Sequence, residues 1–148
     1  MVATNLSYDH KPDSERERKR IEGGGGYVAP SRMPGVGFVG PARVWDRTRM
    51  CGLATSRSMG DTVYVGPNRS GVIAEPEITQ FDFTADDQWM VLASDGVWEF
   101  IESQEAVDIA TKQMAVVAKP SAEKACQALI EQAALRWRHF EGDYRDDI

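Results

Sequence analysis

The sequence predicts a mixed fold, α/β or α+β, and three observations carry that expectation. Residues 72–83, VIAEPEITQFDF, alternate apolar and polar after Pro76, and Trp89 to Ala93 form a short continuous apolar run; both read as strands. The stretches that begin near Ser103 and after Pro120-Ser121 carry apolar residues at helical spacing. No internal repeat is seen along the 148 residues, so a single domain is the expectation.

The elements follow in order. Ser14 and Glu17 form an S-x-x-E capping box that starts a helix over 14–22, and Gly23 to Gly26 stop it. Its run ERERKR alternates acids and bases and reads as a solvated face. Seven of the thirteen glycines and three of the seven prolines fall between Gly23 and Pro41, which predicts a loop there rather than an element interior. ARVW is a short strand candidate, and CGLATSRSMGD closes on a Gly-Asp turn. Pro76 makes the 72–83 strand bulged or an edge. After the turn TADDQ, the run WMVLA has the look of a strand buried on both faces and ends at Ser94-Asp95-Gly96. Ser103 can cap the next helix, with Glu105 in its first turn and Ala106, Val107, Ala110 and Met114 on one side. In the last helix Ala122, Ala125, Leu129, Ile130, Ala133, Trp137 and Phe140 share the helical period and read as core.

Composition excludes several classes of function. A net charge of −6 argues against nucleic acid as a partner, which wants a basic footprint. The same balance suits a carboxylate-rich metal site, although solvated acidic surface is its commoner cause. No apolar run reaches the length of a membrane span, and the N-terminus lacks the apolar stretch of a secretory signal. Cys51 and Cys126 lie far apart with no C-x-x-C, which suits a reduced intracellular compartment, cytoplasmic or nuclear.

Three motifs compete for the chemistry. Gly35-Val36-Gly37-Phe38-Val39-Gly40 matches G-x-G-x-x-G, with Asp61 about twenty residues further on. A dinucleotide site needs a strand before the first glycine and a helix running by the third. Pro34 and Pro41 stand at those two places, and Pro41 removes an amide the helix would use, so the match fails on context. GGGGYV lacks the G-K-[ST] of a phosphate loop. The second motif is VLASDGVWEF. An Asp leaving a buried strand points where α/β proteins bind ligands, and Gly96 lets another group approach closely; a plain Asp-Gly turn explains the pattern equally well. The third is RDDI, where Asp146 and Asp147 alone read as a solvated turn. Together, Asp95 and Asp146 are the kind of distant carboxylates that hold Mg2+ or Mn2+. His10 and His139 have no ligand-spaced neighbours, and no Ser-His-Asp or Cys-His arrangement stands out.

The collinear set DHKP, GLATSRSMGD, GVIAEPEI, MVLASDGVWEFI, QEAVDIA and RDDI resembles the protein phosphatase 2C family of metal-dependent protein Ser/Thr phosphatases, over nearly all of residues 5–148. The resemblance implies an α+β chain, part of a four-layer α-β-β-α sandwich with its N-terminal half and last strand missing. Residues 1–148 would be the C-terminal portion of one such domain, with 23–56 as its flap. It implies two Mg2+ or Mn2+ ions, a metal-activated water, phosphoprotein substrates, and no nucleic-acid or membrane partner. It makes Asp95 and Asp146 metal ligands, with Asp147 at the following, non-liganding position. Gly96, Arg57 and Asp61 are supporting signature residues, Arg57 being available to a carboxylate partner. The family's N-terminal half, with its acidic strand end and DGHGG-like segment, is absent; that half supplies a bridging Asp, a Gly carbonyl ligand, a His and a phosphate-binding Arg. The expectation is therefore that this chain alone is nearly inactive and binds metal weakly. The alternative is a non-catalytic phosphatase-like module that docks on phosphoproteins or on another subunit.

Overall fold

The computed structural model describes residues 1–64, 70–116 and 121–148. Pro120, expected just before the last helix, lies outside the described residues. The helices are α1 Glu15–Gly23, α2 Asp95–Trp98, α3 Ser103–Val116 and α4 Ala122–Glu141. The strands β1 Tyr27–Met33, β2 Gly37–Trp45 and β3 Gly52–Leu53 form one antiparallel sheet in the order β1-β2-β3. Helices and an antiparallel sheet in separate runs are the α+β pattern. Two compact units result: Ser7–Thr79, and Met1–Leu6 with Gln80–Ile148.

The Ser7–Thr79 unit is α1 beside the hairpin. Ile21 from α1, Val28 from β1, Ala42 and Val44 from β2, and Val72 form its core. The Gly/Pro-rich stretch expected as a loop is instead a hairpin. Its prolines are accommodated where the ladder is broken. Pro30 faces Ala42, but the next pair is Ser31 with Val39, so Gly40 and Pro41 form a bulge that asks no ladder N–H of Pro41. Gly35, Gly37 and Gly40 all have positive φ, at 78°, 105° and 73°. The G-x-G-x-x-G match is thus a hairpin turn plus a bulge, and strand β2, not a helix, runs through its third glycine. The capping box does not form either. Ser14 makes no side-chain cap, and Glu17 turns inward and is 2% exposed. The ERERKR run is therefore only partly a solvated face.

The second unit packs α2, α3 and α4 on one another. Val97, Ile101, Ala106, Leu129 and Ala133 form its core, joined by partly buried Val91, Trp98, Ile109 and Ile148. The helical periods predicted this face, except that Ala122, Ile130 and Phe140 of α4 are exposed. α3 begins at Ser103 itself, while Ser121 caps α4 by accepting the Lys124 N–H at 3.4 Å. Arg136 of α4 ties the helices by donating to the Phe100 carbonyl and pairing with Glu105.

The two strands expected at 72–83 and 89–93 are extended chain without a named strand, with bridge residues at Val72 and Ile73, the latter parallel to Arg57. Ile78, Phe83, Met90 and Leu92 are exposed. The apolar pattern specifies which residues want burial, but a strand also needs a neighbouring backbone to pair with.

Candidate active site

The turn Ser94-Asp95-Gly96-Val97 carries the first candidate residue. Ser94 is extended, and the chain then bends into the single turn of α2, with the Val97 N–H on the Ser94 carbonyl at 3.1 Å and the Glu99 N–H on the Asp95 carbonyl at 2.8 Å. The Asp95 carboxylate projects to the surface and has no hydrogen-bond partner among the described residues. Gly96 beneath it is buried. A Cβ on Gly96 would overlap the Asp147 carbonyl oxygen and come within 2.9 Å of the Asp147 carbonyl carbon. The Ser94 hydroxyl donates to that same oxygen at 2.8 Å. Asp146 stands one residue away, its carboxylate accepting the Asp147 N–H at 2.8 Å. The fold thus brings the Asp95-Gly96 turn and the Asp146-Asp147 stretch together from positions far apart in sequence.

Mg2+ and Mn2+ favour hard carboxylate oxygens, which Asp95 and Asp146 supply. Two carboxylates fall short of an octahedral donor set, and among the described residues no three His, Cys, Asp or Glu side chains converge where an ion could be held.

Arg57 and Asp61 belong to the other unit, and their partners lie there. Asp61 accepts a hydrogen bond from the Ser58 hydroxyl and has a positive φ of 30°. Arg57 finds its carboxylate partner in Glu17, gripping it with Nη2 to Oε1 at 2.7 Å and Nε to Oε2 at 3.2 Å. Arg20 Nη2 and the buried Ser56 hydroxyl also donate to Glu17 Oε2, at 2.7 and 2.6 Å. The Ser56 N–H donates to the His10 carbonyl at 2.8 Å, and Arg57 Nη1 donates to the Glu75 carbonyl at 3.1 Å. One buried carboxylate therefore links α1, the SRSMGD signature and, through it, residues 10 and 75. His10 pairs its ring with Glu77, which Arg16 also engages. In the sequence Glu17 has the appearance of a cap; its inward role leaves no mark in the local pattern.

This network sets the acid response of the unit. Arg57 above all, then Arg20 and Ser56, hold the Glu17 carboxyl far below its ordinary value of 4.5, against the opposing effect of burial. A carboxyl depressed on folding contributes stability that is complete above its unfolded value and is lost as pH falls toward the folded one. The urea midpoint is expected to hold level down to about pH 5 and to decline below about pH 4.5, the unfolded range of Glu. Urea titrations across pH 2–7 check this, and Glu17→Gln should flatten that part of the profile.

Comparison with known proteins agrees with this architecture. The family model described as Protein phosphatase 2C matches residues 2–138. The chain is 40% identical over 140 residues to "Probable protein phosphatase 2C 12" of Oryza sativa subsp. japonica, covering 93% of this chain and 32% of the rice protein. It is 41% identical over 135 residues to "Probable protein phosphatase 2C 25" of Arabidopsis thaliana, covering 91% of this chain and 30% of that protein. Its fold matches the crystal structure of serine-threonine phosphatase 2C from Toxoplasma gondii with a TM-score of 0.66 at 24% identity, over 92% of this chain and 42% of the other. The chain belongs to the protein phosphatase 2C family. It spans about a third of the length of the curated relatives it matches.

Proposed function

We propose that this chain is the portion of a protein Ser/Thr phosphatase domain that contributes Asp95 and Asp146 to its active centre, acting on phosphoproteins in the cytoplasm or nucleus. The observation that carries the reading is the seating of the Asp147 carbonyl against Gly96, which sets the two carboxylate-bearing stretches side by side. The complete centre would hold two Mg2+ or Mn2+ ions, which lower the pKa of a bound water so that it is nucleophilic near neutral pH. The part played by this chain is to present Asp95 on a fixed turn and Asp146 on the stretch seated against it. Residues 23–56, which span the hairpin and the short strand β3, are the flap segment of the domain, with exposed Val36 and Phe38 at its tip.

The remainder of the domain would supply the other ligands and the strand partners for 72–83 and 89–93. Two facts support that division: the chain spans about a third of its relatives, and Ile78, Phe83, Met90 and Leu92 of those stretches are exposed. The purified 148-residue chain is expected to turn over p-nitrophenyl phosphate slowly or not at all with Mn2+, and to bind Mn2+ in calorimetric titration more weakly than micromolar. A longer product that joins the chain to the rest of the domain should gain turnover that Asp95→Ala abolishes. Robust turnover by the chain alone, lost in Asp95→Ala, overturns the part-domain reading. A longer product without Asp95-dependent turnover overturns the phosphatase reading and leaves a binding module.

A further inference from the structure

The turn that carries Asp95 is held from both sides by tryptophans. Trp98 Nε1 donates to the Ala93 carbonyl at 2.9 Å, just before Ser94. Trp137 Nε1 donates to the Gly96 carbonyl at 2.7 Å, just after Asp95, in a buried hydrogen bond. Trp137 comes from α4, forty-one residues away in sequence, and is 6% exposed. Its ring meets Phe100 edge-on at 4.8 Å and Tyr144 edge-on at 5.7 Å. One indole therefore touches the Asp95 turn by its N–H and the chain leading to Asp146 by its ring.

We propose that Trp137 is the positioning residue of the Asp95–Asp146 pair: its N–H fixes the peptide that follows Asp95, and its ring seats the segment that delivers Asp146. This rests on the phosphatase reading for its purpose, but the geometry is independent of that purpose. A packing role alone would need any large aromatic at 137. The Gly96 carbonyl is buried, and losing its donor leaves an acceptor unsatisfied, so the N–H matters beyond the volume of the ring. Trp98, a partly buried residue, makes the control, because its N–H anchors the carbonyl before the turn instead of the one that follows Asp95.

The test is amide hydrogen exchange, followed by NMR, in the 148-residue chain. Trp137→Phe keeps an aromatic ring and deletes the N–H. It is expected to speed exchange of the Val97 and Glu99 amides about tenfold, the equivalent of about 1.4 kcal/mol, and to shift the Asp147 amide resonance. Ile101, Ala106 and Leu129 should keep their protection. Trp98→Phe should leave Asp147 unmoved. If Trp137→Phe does not fold, β-(3-benzothienyl)alanine at 137, an isostere with sulfur for N–H, gives the same comparison. Unchanged exchange at Val97 and Glu99, or an equal loss of protection throughout the helical core, overturns the proposal. Failure of the phosphatase reading appears separately, as absent Asp95-dependent turnover in the longer product, and leaves the exchange result standing.

Discussion

Arg57→Ala is expected to lower the unfolding free energy of the Ser7–Thr79 unit by about 1.5–3 kcal/mol, the usual worth of hydrogen bonds to a charged group. Glu17 would keep Arg20 and Ser56 as donors but lose its two-pronged contact and the largest source of its charge stabilisation. A small domain has only about 5–15 kcal/mol in hand, so the unit approaches its unfolding threshold. Urea unfolding, followed by fluorescence of Trp45, the tryptophan of this unit, measures it. Lysine is not an adequate substitute: an ammonium cannot reach both oxygens of Glu17 while also serving the Glu75 carbonyl in one plane. Glu17→Ala should cost a similar amount. The double variant should cost much less than the sum of the two, since the two residues belong to one network. Additive losses would mean that Arg57 and Glu17 act separately.

Gly96→Ala is the second large effect. The backbone of Asp147 occupies the space a methyl group would need, and Ile148 Cγ1 lies within 3.1 Å of it. Both the turn and the incoming chain are constrained, the turn by the Trp137 bond and the chain by the Ser94 hydroxyl. The strain cannot be absorbed by a flexible side-chain end, so residues 146–148 should leave their seat, at a cost of about 1–3 kcal/mol. Limited proteolysis near Arg145 and the NMR signals of Asp147 and Ile148 report the displacement. A variant that keeps Ile148 packed in the helical core with native stability would show that the tail can shift without release.

Much of this was readable from residue order. The apolar spacing of Ala106 and Ala110, and of Ala125, Leu129, Ala133 and Trp137, marked the helix faces that do pack. Asp95, Gly96 and Asp146 stood out because an Asp-Gly after an apolar run and an acidic chain end are chemically suggestive. The hairpin was hidden, because glycine and proline read as loop wherever their neighbours in space are unknown; at Gly40-Pro41 they make a bulge instead. The extended stretches failed in the opposite sense. Phe81, Phe83 and Trp89 have strand-like sequence, but pairing is a property of two segments and cannot be read from one. Glu17 fitted a local rule so well that its long-range partner, forty positions away, left no competing signal. Trp137 was legible as buried, whereas the carbonyl its N–H reaches was not.

The stretch from Gln80 to Ala93 has a practical consequence for anyone handling this chain. An extended segment with apolar side chains on the surface is a template for aggregation. Asp82, Asp86 and Asp87 interrupt it and act as gatekeepers, but Trp89-Met90-Val91-Leu92-Ala93 contains no charge at all. Colloidal behaviour in solution should therefore be governed by these five residues more than by the packed helices C-terminal to them. A charged replacement at exposed Leu92 is the place to begin when the protein precipitates.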